Sequence, residues 1–260
     1  MPNTPNPTLN DLESLEKKIE NLPNEAKRQF YKLRNIYPHY YGSTTKLGIF
    51  FTNCYKINDT HWIGLYLNMC LINHSCAPNA MIDTTHLQDK EPCCQIRAIK
   101  DISKGEEVTV FYFKHQEDRS YKELGVNAVQ RKKAIRNFFQ FECICCVCSG
   151  NVPDQGDIIK ELLKLHKLLF RNKSGKNPSA SLHVKILEKI VDLNMKLYIG
   201  CIYDKVWSLQ ELFGAACKAQ EKDLKRKAFD TLKKLGEDMN LSRVLEHCEQ
   251  MRPCLTDTET

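Results

Sequence analysis

The stretch Leu71-Ile72-Asn73-His74-Ser75-Cys76-Ala77-Pro78-Asn79 decides how the rest of this chain reads. It follows an apolar run, Ile63 to Met69, and crowds Asn, His, Ser, Cys and Pro into a few positions. Asn, Ser and Pro favour turns, and short polar side chains compete with the backbone for its own hydrogen bonds. By composition alone this is a loop closing a buried segment, with His74 satisfied by a carbonyl.

Two later stretches change that reading. One is Gly105-Glu106-Glu107-Val108-Thr109-Val110-Phe111-Tyr112, and the other is Phe141-Glu142-Cys143-Ile144-Cys145-Cys146-Val147-Cys148. Thiolates hold Zn²⁺ at about 2.3 Å in a tetrahedron, and structural sites use four ligands. Cys143, Cys145 and Cys148 stand close enough in sequence to cap three corners of one tetrahedron. Cys146, between two of them, makes a poor fourth corner, so the last ligand must come from elsewhere in the chain.

Composition sets bounds on the function. The chain has 260 residues, enough for one large domain or two modest ones. A formal charge of +6 is mild and spread out, so no polybasic tail demands nucleic acid. No run of about 18 apolar residues appears, so nothing is expected to span a membrane. Met1 to Thr8 lacks the basic-then-apolar pattern of a signal peptide, so the chain is expected inside the cell, in nucleus or cytoplasm. In that reducing setting, 13 cysteines argue for a metal site and buried thiols rather than a disulfide framework.

Along the chain, residues 1–8 read as a disordered lead. Thr8 and Asp11 form the pattern of a capping box, and Leu12, Leu15, Ile19 and Leu22 recur at helical spacing. Pro23 opens a second helix with Ala26, Phe30 and Leu33 as its apolar stripe, ending at Tyr37-Pro38. Gly42 to Thr45 is a loop, and Leu47 to Phe51 a short buried strand or turn. Alternation from Cys94 to Ile99 predicts a strand, and Val108, Val110 and Tyr112 share one face of another; the two read as a hairpin around Asp101 to Gly105. His115 to Glu123 reads as a charged loop. Val126 to Phe139 reads as a basic helix, with Arg131, Lys132, Lys133 and Arg136 on a solvated face. Gly150 to Gly156 is a linker. Helices follow over Ile158–Phe170, Leu182–Ile199, Val206–Gln220, Lys222–Leu235 and Leu241–Met251, with a break at Asn172 to Ser179. Short loops between them predict a bundle or small solenoid.

An N-H-S-C-x-P-N block, then G-E-E-x-x-x-x-Y, then F-x-C-x-C-x-x-C, in that order, resembles the C-terminal half of a SET-domain protein-lysine methyltransferase, and within that family the SMYD-like group. The resemblance covers about residues 10–150. It implies an α+β fold: a partial SET domain of small antiparallel β elements with a helical insert, a post-SET zinc site, and a helical C-terminal region. The corresponding boundaries are a lead over 1–8, the SET domain over 9–113, the post-SET helix and zinc cluster over 114–150, and helices over 151–260. S-adenosylmethionine and Zn²⁺ are the implied cofactors, and a protein carrying a lysine, a histone tail or another, is the implied substrate.

Carried over residue by residue, the resemblance makes Tyr112 the tyrosine at the transfer point and Cys76 the fourth zinc ligand beside Cys143, Cys145 and Cys148. It makes Asn73 and His74 cofactor contacts, with Asn53 and Phe141 also on the cofactor side and Phe139 in the lysine channel. Phe139 stands where relatives often carry Tyr. The Gly-rich turn with which the family begins, and a zinc-finger insertion of the MYND type, are not found in the chain, as though it were truncated at the N-terminus. Two other readings are carried: an inactive, zinc-stabilised interaction module that offers its C-terminal helices to a protein partner, and a nucleic-acid binder using the basic helix. The last has no aromatic platform or recognisable nucleic-acid fold behind it.

Overall fold

The computed structural model describes residues 8–37, 45–56, 63–83, 94–113, 127–175, 177–198 and 202–256. The expected lead apart from Thr8, most of the Gly42–Thr45 loop, the His115–Glu123 loop, Cys93 and Cys201 lie outside the described residues.

Three helices open the chain: α1 (Leu9–Glu20), α2 (Asn24–Lys32) and α3 (Thr45–Asn53). Thr8 caps α1, its hydroxyl accepting from the Asp11 amide while the Asp11 carboxylate accepts from the Thr8 amide. Those mutual bonds satisfy amides that a helix end otherwise leaves open. The apolar stripes meet in one cluster of Ile19, Phe30, Leu33, Ile49 and Phe50. Leu47 to Phe51 therefore lies within a buried helix, not the strand or turn expected; a short apolar run does not distinguish the two. Gly48 is needed there, because a Cβ would come within 2.5 Å of Asn35 Oδ1 and 2.7 Å of the Tyr37 carbonyl.

The β elements are short: β1 (Tyr55–Lys56), β2 (Ile63–Gly64), β3 (Asn73–His74), β4 (Ala80–Asp83), β5 (Gln95–Ala98) and β6 (Thr109–Val110). β1 pairs with β2 and β4 with β5, both antiparallel. β3 runs parallel to β6, with Asn73 opposite Thr109 and His74 opposite Val110. This corrects two expectations. The β elements are not all antiparallel, and the Cys94–Ile99 strand does not form a hairpin with the strand after Gly105.

Asn79 is the physical reason. Its carbonyl accepts from the Ile99 amide at 2.9 Å. Its side-chain oxygen accepts from the Thr109 amide at 2.8 Å, and its amide donates to the Glu107 carbonyl at 2.8 Å. A buried asparagine side chain thus takes the ladder positions that a hairpin partner would fill. The expected turn is present: Gly105, at φ 88°, lets the Glu106 amide reach the Ser103 carbonyl at 2.9 Å.

Helix α4 (Ala128–Phe139) leads into the cysteine segment and on to α5 (Gly156–Ser174), α6 (Ala180–Lys196), α7 (Ile202–Lys218), α8 (Lys222–Asp238), α9 (Ser242–Met251) and the single turn α10 (Pro253–Thr256). From α6 to α9 each helix packs on the one before it, burying Leu162, Leu187, Ile190, Leu209 and Leu232. One core runs from this stack through Val147 and Ile135 to Met81 and Cys76. No described helix is long and apolar enough to cross a membrane.

Candidate active site and metal centre

β3 and β6 lay the Asn73–Asn79 block directly beside the Gly105–Tyr112 stretch, so the two motifs share one hydrogen-bond network. Asn73, exposed, donates its amide to Glu107 Oε1 at 2.6 Å. Asn79 donates to Glu106 Oε1 at 2.8 Å. That bond comes first among the causes holding the Glu106 carboxyl below its usual range, ahead of the Ser103 amide. The paired glutamates therefore act as clamps on the asparagines of the other motif, a role the sequence reading left unassigned although both residues stood in the quoted stretch.

Tyr112 follows β6, and its hydroxyl donates to the Ile72 carbonyl at 2.6 Å. Burial pushes the phenol above its usual value of 10.0, with Cys70 and then Glu107 adding to the shift. Tyr112 thus stays a neutral O–H donor through the physiological range. Aromatic rings surround it: Phe139 at 5.4 Å, Phe141 at 6.2 Å and His74 at 5.3 Å between centroids. Phe139 and Phe141 both reach Tyr112 because Gln140, between them, caps α4 in the left-handed conformation at φ 54° and turns the chain back. Its side chain donates to the Ile36 carbonyl at 3.1 Å, tying this turn to the segment after α2.

Tyr55, which the sequence reading missed, belongs to the same interior. Burial drives its phenol far above the usual tyrosine range, and Cys70, Tyr112, Cys94 and Cys54 contribute in that order. Its position directly after Asn53-Cys54 was the available signal. Asn53 has committed its amide to the Arg34 carbonyl at 2.8 Å and the Ile49 carbonyl at 2.7 Å.

The four cysteines named from the sequence lie together. The sulfurs of Cys76, Cys143, Cys145 and Cys148 all fall within 4.8 Å of one another. A tetrahedron with Zn–S bonds of about 2.3 Å separates its sulfurs by about 3.8 Å, and the Cys76–Cys148 distance is 3.6 Å. The donor set therefore fits a tetrahedral thiophilic ion. Contacts with Cys145, Cys148 and Cys76 hold Cys143 far below the thiol range, while contacts with Cys143, Cys145 and Cys148 push Cys76 far above it. Sulfurs this crowded cannot all carry charge unless a cation joins them.

Arg131 corrects the expectation of a wholly solvated basic face on α4. It is fully buried, 0% exposed, and its guanidinium donates to Asp154 Oδ1 at 2.8 Å. Burial opposes its charge, Asp154 outweighs that, and the sulfurs of Cys76 and Cys148 add a favourable field. Asp154 also accepts from the Ala128 amide at 2.7 Å. The Gly150–Gly156 linker is thus pinned to the start of α4, with a cation placed beside the sulfurs. In the described part of the expected basic helix, Lys132, Lys133 and Arg136 lie outside the fully buried set that holds Arg131; Arg136 pairs with Glu142 at 3.1 Å.

With this geometry in view, likeness to known proteins is informative. The family model described as the SET domain matches residues 7–113. "Histone-lysine N-methyltransferase set5" of Schizosaccharomyces pombe is 28% identical over 142 residues, 55% of this chain and 40% of that protein. "Histone-lysine N-methyltransferase SMYD3" of Homo sapiens is 33% identical over 104 residues, 40% of this chain and 21% of that protein. "N-lysine methyltransferase SMYD2-B" of Danio rerio is 24% identical over 165 residues, 58% of this chain and 35% of that protein. The chain thus spans well under half the length of these relatives. Residues 7–113 thus match the SET domain, and over part of its length the chain is similar to SET-type and SMYD lysine methyltransferases.

Proposed function

We propose that this chain works in S-adenosylmethionine-dependent methylation of a lysine side chain on a protein, a histone tail or another, inside the cell. The single observation that carries the reading is Tyr112: a buried, neutral phenol anchored to the Ile72 carbonyl and walled by Phe139, Phe141 and His74. When bound, S-adenosylmethionine supplies a methyl group activated by a sulfonium. The chain's own task is then alignment, exclusion of water and stabilisation of the neutral amine.

In this reading the aromatic walls form the lysine channel, with Phe139 on the substrate side. A low-dielectric channel disfavours the ammonium form, so the lysine enters as the nucleophilic amine. Tyr112 steers it without competing, because a neutral phenol is a poor nucleophile. The exposed Asn73 amide and the face of Phe141, whose ring lies 6.1 Å from His74, offer the polar edge and apolar surface that a purine needs. The His74 backbone completes that edge, and Asn53 is the remaining candidate contact. Cys76, Cys143, Cys145 and Cys148 hold one structural Zn²⁺, which staples the segment after α4 to the central block. The C-terminal helices offer a surface for a protein substrate or partner.

Calorimetric titration with S-adenosylhomocysteine tests the cofactor half. Saturable one-to-one binding is expected. Asn73→Ala should weaken it about tenfold, the equivalent of one lost hydrogen bond. No binding to the wild-type chain, or an unchanged affinity in the variant, would contradict this assignment.

A further inference from the structure

We propose that His74 is a positioning residue that couples the cysteine metal centre to Tyr112 by bonding to both through its side chain. The inference rests on the reading above, in which the cysteines hold a metal and Tyr112 stands at the transfer point.

Nδ1 of His74 lies 3.1 Å from the Tyr112 amide nitrogen, which can only donate. Nδ1 is therefore the acceptor, and a neutral imidazole with an acceptor at Nδ1 carries its hydrogen on Nε2. That Nε2 lies 3.6 Å from the Cys76 sulfur, so the N–H is donated to a ligand of the metal. An imidazolium could not accept at Nδ1, so the Tyr112 amide selects the tautomer that serves the sulfur. The ring has little freedom to turn. It is 8% exposed and packed by Phe111 at 5.6 Å, Phe113 at 6.2 Å and Phe141 at 6.1 Å, besides Tyr112 itself.

The consequence runs both ways. An N–H···S bond withdraws electron density from a metal thiolate and fixes the ring. The fixed ring then holds the Tyr112 backbone two residues after β6 ends. Loss of the metal would leave the Cys76 side of the ring without its charged acceptor and loosen the hold on Tyr112. Partners around a metal's ligands tune it in this way, and changing one costs about 10-fold or more in metal affinity or activity.

Two substitutions separate the halves. Asn places an acceptor near the Nδ1 position but does not reach the sulfur, whereas Gln places a donor near Nε2 without the acceptor for Tyr112. The probe is Co²⁺ loaded into the full chain in place of zinc, followed by its sulfur-to-metal charge-transfer absorption and its release to a chelator. His74→Asn should move that band to lower energy and release the metal about 10-fold faster. His74→Gln should keep the band near the wild-type position while kcat for methyl transfer falls and KM holds. A thermal melt of each variant confirms folding, and Gln covers the case in which Asn unfolds. A wild-type band that stays unmoved, with unchanged release, in a folded His74→Asn variant would overturn the coupling alone. Absence of any such band in the wild-type chain would overturn the metal reading and the coupling with it.

Discussion

Replacing Tyr112 by Phe is expected to lower methyl transfer by about 100-fold, the usual loss when one group that acts only in the transition state is removed. The substitution keeps the ring, so the contacts with Phe139, Phe141 and His74 survive. It deletes only the hydroxyl and its bond to the Ile72 carbonyl. Affinity for S-adenosylhomocysteine should stay within about twofold, because ground-state binding does not use the phenol. A steady-state comparison of the two forms, run beside a thermal melt, separates a role in transfer from a role in packing. Full activity in the Phe variant would return Tyr112 to the core.

The second large effect is on stability. Cys76→Ser removes one of four sulfurs that lie within 4.8 Å of one another. In a site whose binding energy is also folding energy, losing a ligand should cost about 3 kcal/mol or more. For a chain of this size that is about 10 °C in Tm. Elemental analysis of the wild-type protein should give about one zinc per chain, as a closed thiolate site requires, and the variant substantially less. Serine keeps the volume of the side chain, so loss of packing does not account for a fall of that size. Zinc content unchanged in the variant would remove Cys76 from the site.

What could be read from the sequence follows from how local the physics is. Three thiols at C-x-C-x-x-C spacing read as part of a site that could hold a metal, because neighbours in sequence are also neighbours in space. The fourth sulfur, and the tyrosine beside the central block, came instead from resemblance across motifs separated by tens of residues. Strand existence was visible from alternation, but strand partners were not. The hairpin expected around Gly105 failed because Asn79, one buried side chain from the preceding segment, occupies the edge of β6. Leu47 to Phe51 misled for a related reason: a run apolar at every position carries no period.

Arg131 shows the same limit from the charge side. Beside Lys132 and Lys133 it reads as one more solvated cation, yet Asp154, 23 residues away, turns it inward beside the sulfurs. Tyr55 was hidden because a tyrosine in a two-residue strand has no pattern of its own. Its closeness to Tyr112 comes from the chain folding back between Cys54 and Cys70, where the Cys70 thiol donates to the Asn53 carbonyl at 3.4 Å.

The most direct measurement is to incubate the protein with a pool of histones and S-adenosylmethionine labelled on its methyl group, hydrolyse the products and separate the amino acids. Label recovered in methylated lysine, present with the wild-type protein and nearly absent with Tyr112→Phe, is the predicted result. Label confined to any other amino acid, or methyl-lysine formed equally by the Phe variant, would contradict the account.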